Sequence, residues 1–267
     1  MSPAATLAEA LAPLRADPAR AGVLLDIDGT LAPIVRHADD AHVPEPTRAQ
    51  LIGVAKRYAV VGCISGRQAQ VARRIVSLGT IAYVGNHGSE LLPAGGGDVQ
   101  IDPELAEHEA AVRRFAADVY TTDLQRLRVR GEDKQAIAAF HWRGAPDEAA
   151  AEDAMRVVAD QAEAAGLYIH WGRKVLEVRP PVAIDKGRGV RRLLGGRDLA
   201  AALYVGDDHT DIDAFDGLHA LVDEGELGVA VCVGVRSDET PPELEQAADV
   251  LVDGPTGVRE LLTALLD

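Results

Sequence analysis

The sequence predicts an α/β protein: a doubly wound parallel sheet with a second, smaller α+β domain inserted into it. Three observations carry that prediction. Short apolar runs that stop at Asp or Gly, such as Val23-Leu24-Leu25-Asp26 and Leu203-Tyr204-Val205-Gly206, read as strands buried on both faces. Between these runs lie segments with apolar residues at helical spacing, so the strands are joined by right-handed crossovers. From Pro103 to Pro181 the grammar changes to helix, paired short strands, helix, paired short strands, which marks an insert. The expected core is residues 1–102 and 183–267, the expected insert residues 103–182, with exits near Asp102 and Pro180-Pro181.

Each element has its own signal. Leu7, Leu11 and Leu14 share one helical face within residues 4–15. After a loop over residues 36–44, Pro46 in the first turn opens a helix carrying Leu51, Val54 and Ala55. Residues 59–64 form a second buried strand that ends in Ser65-Gly66-Arg67, and a helix covers 68–78. Ile81 to Val84 is a strand ending in Asn86-His87-Gly88-Ser89-Glu90. In the insert, helices are expected over 103–118 and 146–165, and strands over 127–130, 136–143, 167–171 and 175–179. Asp185-Lys186-Gly187 then opens a helix, strands cover 203–206, 229–235 and 250–252, and a last helix over 255–266 places Val258, Leu261, Leu262 and Leu265 on one side.

Composition narrows the function. The chain has 267 residues, 42 acidic against 27 basic, and a formal net charge of -15. Such a surface has no general field for polyanions, which argues against nucleic acid or an anionic membrane as partner. Two cysteines in apolar runs, Cys63 and Cys232, fit buried reduced thiols, and there is no signal-peptide pattern or membrane-span-length run. A cytoplasmic protein without an obligate protein partner is expected.

Asp26 and Asp28 stand one residue apart where an apolar strand stops. Two carboxylates at such an edge repel each other unless a cation joins them, so a metal ion is the natural third party. Ser65, Lys186 and Asp207-Asp208-His209-Thr210-Asp211 lie at other strand ends or helix starts, and in a parallel sheet these edges converge. Asp26-Ile27-Asp28-Gly29-Thr30, followed in order by Ser65, Lys186 and the Asp207 to Asp211 run, resembles the four motifs of the haloacid dehalogenase (HAD) superfamily of phosphohydrolases. The resemblance implies a HAD-like core with a cap of the C2 type. It also implies an aspartyl-phosphate on Asp26, proton transfer by Asp28, and phosphoryl contacts from Ser65, Gly66 and Lys186. Mg²⁺ would be held by Asp26, Asp28 and Asp207, with Asp208 and Asp211 completing its surroundings or orienting Lys186. Ser65 has an alternative reading as a helix cap, and Asp211 or Asp213 as a cap of the helix through Phe215.

Further runs narrow the resemblance. Asn86-His87-Gly88-x-Glu90, His141-Trp142-Arg143, Arg173 to Pro180, and Gly206-Asp207-Asp208 to Phe215 are similar to the trehalose-6-phosphate phosphatases, from about Val23 to Leu265. That family implies a sugar phosphate substrate. Its contacts would be Asn86, His87 and Gly88 in the core and Arg143, Arg173, Lys174 and Glu177 in a cap that closes over the sugar. Strand alternation over 173–179 would put Arg173, Glu177 and Arg179 on one face and Lys174 on the other. Arg173 and Glu177 read also as an exposed ion pair, and His87 as a core histidine. Ile212 stands where that family usually has Glu. Other readings are a phosphatase for a different glycosyl phosphate, such as glucosylglycerol phosphate or a pseudo-disaccharide phosphate, and a non-catalytic sugar-phosphate-binding regulator.

Overall fold

The computed structural model describes residues 6–35, 40–134 and 136–267. Residues 4 and 5 of the first expected helix and 36–39 of the expected loop lie outside these. The chain divides into two compact units, Met1–Gln100 with Ile184–Asp267, and Ile101–Ala183. The first unit runs α1 (Leu7–Ala16), β1 (Ala21–Leu25), α2 (Glu45–Arg57), β2 (Val60–Ile64), α3 (Ala69–Val76), β3 (Ala82–Gly85), β4 (Glu90–Leu92) and β5 (Gln100–Ile101). The inserted unit holds α4 (Pro103–Ala106), α5 (Glu109–Val119), α6 (Thr122–Arg126), β6 (Arg130–Asp133), β7 (Ala138–His141), α7 (Glu148–Ala164), β8 (Tyr168–Gly172) and β9 (Val175–Arg179). The first unit resumes with α8 (Lys186–Leu194), β10 (Leu199–Gly206), α9 (Thr210–Asp223), β11 (Leu227–Arg236), α10 (Pro242–Ala247), β12 (Val250–Asp253) and α11 (Gly254–Leu266).

The large sheet has the order β12-β11-β10-β1-β2-β3-β4-β5, parallel from β12 to β3, with β4 antiparallel to β3. Both faces of β1 are covered, which is why it reads as an unbroken apolar run: Val23 and Leu25 meet Leu14, Leu51 and Leu261, while Leu24 meets Leu193 and Phe215 on the opposite side. Its register pairs Leu25 with Val205 of β10 and with Cys63 of β2. The three chains therefore leave the sheet along one edge, carrying Asp26, Asp207 and Ser65 with them. Order reverses between β1 and β10, and the crevice at such a reversal is where open α/β sheets bind ligands. Cys63 and Cys232 are buried free thiols, and no helix among the described residues is long and apolar enough to cross a membrane.

Glycine sets how near α8 comes to α9. A Cβ on Gly217 would lie 2.7 Å from the Gly187 Cα, and one on Gly187 would lie 2.4 Å from the Asp213 carbonyl oxygen. The helices touch backbone to backbone, which fixes the start of α8, and with it Lys186, relative to the Asp207 loop.

In the inserted unit the sheet is antiparallel, in the order β6-β7-β9-β8. Phe140, Leu176 and Val178 pack with Val112 of α5 and Met155 and Val158 of α7. Alternation turns Glu132, Ala139, Glu177 and His170, which lie side by side in the register, to the other face.

Several expectations fail locally. Residues 127–129 are the turn after α6, with Arg128 at φ 61°, and the strand begins at Arg130. The helix expected over 103–118 is broken between α4 and α5 at Glu107 and His108. Arg173 and Lys174 form the turn joining β8 to β9, with Lys174 at φ 63°, so Arg173 is not part of a strand and shares no strand face with Glu177. Short β4, α6 and α10 had no sequence signal long enough to show a period.

Gly217→Ala tests the helix contact. Alanine is the better helix former by about 1 kcal/mol, but the added methyl would force the backbones apart at a cost of about 1–3 kcal/mol. Thermal unfolding should show a lower midpoint than wild type, and an equal or higher midpoint would contradict the contact.

Candidate active site

The site is built on Lys186, the first residue of α8. A cation at the positive end of a helix dipole is unfavourable on its own; here it is compensated by carboxylates. Its Nζ donates to Asp26 Oδ1 at 2.9 Å and to Asp211 Oδ1 at 2.6 Å, and all three side chains are buried. Asp211 holds the arrangement together. Its Oδ1 also accepts from the Tyr204 hydroxyl at 2.6 Å, and its Oδ2 accepts the backbone N–H groups of Asp207 and Asp208 at 2.8 and 2.9 Å. A carboxylate has about four lone-pair sites, and four donors fill them. Asp211 thus anchors both the lysine and the turn that carries Asp207.

Asp207 approaches from β10. Thr30 donates its hydroxyl to Asp207 Oδ1 at 3.2 Å, and Gly29 lies against the carboxylate: a Cβ there would fall 2.0 Å from Oδ2, and its φ is +87°. One oxygen from each of Asp26, Asp207 and Asp211 lies within 4.8 Å of the others. Burial pushes the Asp26 carboxyl well up, with Asp211 and Asp207 adding to the shift and Lys186 opposing it. Burial, then the Asp211 and Asp208 carboxylates, raises Asp207 to about 7. Burial pulls the Lys186 ammonium down, but Asp211 and Asp26 outweigh it and hold it above the ordinary lysine value. One lysine does not balance three buried carboxylates. The donor set fits a divalent cation, and since Asp211 is already saturated, Asp26 and Asp207 have the side-chain oxygens best placed to bind it.

The remaining core residues surround this cluster. Asp28, one residue past Ile27, is held by Arg67 through bonds of 2.6 and 2.7 Å, with its side chain 35% exposed against 6% for Asp26. Arg67, the cation at the end of the Ser65-Gly66-Arg67 run, was not foreseen as its partner. Asp208 accepts the Thr210 N–H and hydroxyl, so it stays outside the carboxylate triad. Buried Ser65 accepts the Arg67 N–H through its hydroxyl. The His87 ring lies over Gly66, 2.6 Å from where a Cβ would stand. Asn86 is a buried positioning residue: its amide donates to Glu90 at 2.6 Å, and Glu90 accepts the Ala69 N–H that opens α3. Gly88 brings this turn against the Asp185 carbonyl just before Lys186.

The inserted unit has a charged cluster of its own. Glu177 on β9 accepts from Lys134 Nζ at 2.9 Å and from Arg179 at 2.6 Å, and all three side chains are nearly buried. Burial alone would raise the Glu177 carboxyl, but Lys134 and Arg179 outweigh it and hold it at about 2. Its partners are thus Lys134 and Arg179, not Arg173. Lys174 pairs with Glu148, and Arg143 donates to the Arg173 carbonyl at 3.1 Å. Lys134 was missed because it follows an edge strand and has no apolar alternation to orient it. A glutamate expected two strands away was the available clue.

Two outcomes follow. With metal chelated at pH 8, Asp207→Asn should raise the unfolding midpoint, by about 1–2 kcal/mol, because it removes a buried charge from a like-charged group. Added divalent cation should stabilise wild type far more than the variant; equal stabilisation of the two would contradict the donor set. In the inserted unit, a folded-state pKa near 2 against the ordinary 4.5 means that Glu177 contributes stability in full above pH 4.5 and loses it as pH falls toward 2. Glu177→Gln should therefore cost about 3–5 kcal/mol at neutral pH, a deficit that narrows in acid unfolding experiments. A pH-independent deficit would contradict the ion-pair origin.

Comparison with known proteins agrees with this geometry. A family model described as trehalose-phosphatase matches residues 24–244. Trehalose 6-phosphate phosphatase RA3 of Zea mays is 31% identical over 261 residues, covering 91% of this chain and 69% of that protein. An uncharacterized glycosyl hydrolase of Mycobacterium tuberculosis, MT2062, is 32% identical over 214 residues, covering 74% of this chain and only 15% of that protein. Among solved structures, the C-terminal domain of the C. albicans trehalose-6-phosphate phosphatase matches with a TM-score of 0.71 at 22% identity, over 100% of this chain and 99% of that one. A haloacid dehalogenase-like hydrolase from Bacteroides thetaiotaomicron matches with 0.62 at 14%, over 91% and 98%. The structural likenesses establish a HAD-like α/β fold with an inserted cap, the sequence match covers the strand ends that hold the carboxylates and the lysine, and the chain belongs to the trehalose-phosphatase family.

Proposed function

We propose that this chain is a Mg²⁺-dependent phosphatase that hydrolyses trehalose 6-phosphate to trehalose and phosphate. The observation that carries the reading is the buried Asp26 carboxylate at the end of β1, 2.9 Å from Lys186 and grouped with Asp207. Phosphate monoester hydrolysis is slow because anions must meet, so charge stabilisation and positioning supply most of the acceleration. Asp26, Asp207 and the Asp28 carbonyl would hold the Mg²⁺, which when bound would supply positive charge to offset that of the phosphoryl group.

This chain's own residues do the rest. An Asp26 oxygen attacks phosphorus, and the bond from phosphorus to the sugar oxygen breaks. Asp28 gives its proton to that leaving oxygen. Asp28 then takes a proton from water as the water attacks the acyl phosphate, and phosphate leaves with Asp26 restored. The two carboxylates suit different tasks because their surroundings differ: Asp26 is buried against a lysine, while Asp28 is accessible and paired with Arg67. Lys186 and Ser65, with N–H groups of the loop after β1 and of Gly66, hold phosphoryl oxygens. Asn86 and Gly88 shape the turn that presents His87 beside Gly66. In the cap, Glu177 with Lys134 and Arg179 offers charge-assisted hydrogen bonds to sugar hydroxyls, and Arg173 and Lys174 form the turn to which Arg143 donates. Buried free thiols fit a reducing compartment, which supports the reading of a cytoplasmic enzyme.

Asp26→Asn should lower kcat by at least roughly 10³-fold without unfolding the protein, and Asp28→Asn by roughly 10²- to 10⁴-fold. Phosphate release measured across a panel of sugar phosphates should favour trehalose 6-phosphate. Equal or faster turnover of another glycosyl phosphate would overturn the substrate, and full activity in Asp26→Asn would overturn the nucleophile.

A further inference from the structure

The inserted unit carries a second groove, on the side of its sheet that faces α7, away from Glu177. It is lined by Trp142, Trp171, Gly172 and Lys174 from the sheet side and by Glu152 and Arg156 from α7, and it has a volume of about 360 Å³. Trp171 is 41% exposed and offers the groove a large apolar surface. It is not a loose side chain: its ring and that of buried Trp142 pack in a T-shaped pair, centroids 6.0 Å apart and planes at 80°. The charged wall is also fixed in place, Arg156 donating to Glu152 at 2.7 Å and Lys174 pairing with Glu148 across the turn.

From this we infer a saccharide-binding subsite in the groove. A pyranose presents an apolar face of axial C–H groups and a rim of hydroxyls. The exposed indole of Trp171 matches the first. Glu152, Arg156 and Lys174 match the second, since vicinal hydroxyls both donate to a carboxylate and accept from guanidinium or ammonium. The volume suits one or two sugar rings and falls at the lower end of the range for small-molecule sites. Glu177 with Lys134 and Arg179 lies on the opposite face of the sheet, so apart from Lys174 this subsite shares none of the contacts proposed for the reacting sugar.

The chain provides its own reporter, because Trp142 and Trp171 are the two tryptophans it contains and both line the groove. The full-length protein is titrated with trehalose, maltose and glucose, following tryptophan emission together with saturation-transfer NMR of the sugar. At least one sugar should bind saturably in the millimolar range or tighter. Trp171→Ala should weaken it about tenfold or more, and Arg156→Gln several-fold, with phosphatase activity toward saturating substrate unchanged in Arg156→Gln. No saturable binding up to roughly 100 mM would overturn the subsite, since that corresponds to negligible affinity. Binding unaffected by either substitution would overturn it too, by placing the sugar elsewhere. Because the NMR signal does not depend on turnover, a protein that fails to hydrolyse trehalose 6-phosphate can still pass this test, and an active one can still fail it.

Discussion

The contact between Lys186 and Asp211 is the constraint on which the rest depends. A buried ion pair is poor evidence for stability, since desolvation consumes most of its attraction. Here its worth is positional. Asp211 spends all of its hydrogen-bonding capacity on Lys186, Tyr204 and the N–H groups of Asp207 and Asp208. Removing any one of these donors would leave a buried charge partly unmatched, so the lysine, the β10 turn and the helix pair α8 and α9 are coupled. The backbone contact between Gly187 and Gly217 makes that coupling rigid.

What the coupling produces is an unbalanced site. Two further carboxylates, Asp26 and Asp207, are driven into the same volume, and both are pushed toward protonation by burial. A protein that only had to be stable would not keep them there. A divalent cation held beside them would offset that charge, as the proposed function requires. Asp28 escapes this crowding by one residue and one partner, Arg67, which gives the two carboxylates of the same short loop different surroundings.

The parts of this arrangement that were legible in the sequence share a cause. Strands buried on both faces have to be apolar throughout, so the points where β1, β2 and β10 end are marked by the first polar residue, and those residues are Asp26, Ser65 and Asp207. Sheet topology then brings them together without further information. What was not legible depends on rotation or on single turns. Asp207, Asp208 and Asp211 are near neighbours in sequence, and spacing alone does not say that Asp211 turns inward to anchor while Asp208 turns to Thr210. Arg173 looks like a strand residue until Lys174 adopts a left-handed conformation and makes the pair a hairpin turn. The Lys134 partnership with Glu177 joins residues 43 positions apart across a sheet edge, where no period points to it. Ile212, read from the sequence as a departure from the resemblance, is partly buried and packs against the apolar cluster of β10 and α9.

The most direct measurement is to trap the intermediate. Protein quenched during turnover of trehalose 6-phosphate is reduced with borohydride, which converts an aspartyl-phosphate to homoserine, and the modified position is read by peptide mass spectrometry. The expected result is homoserine at position 26 and nowhere else, abolished when Mg²⁺ is chelated. Reduction at position 28 or 207, or steady turnover with no reducible acyl phosphate at all, would contradict the role given to the carboxylate beside Lys186.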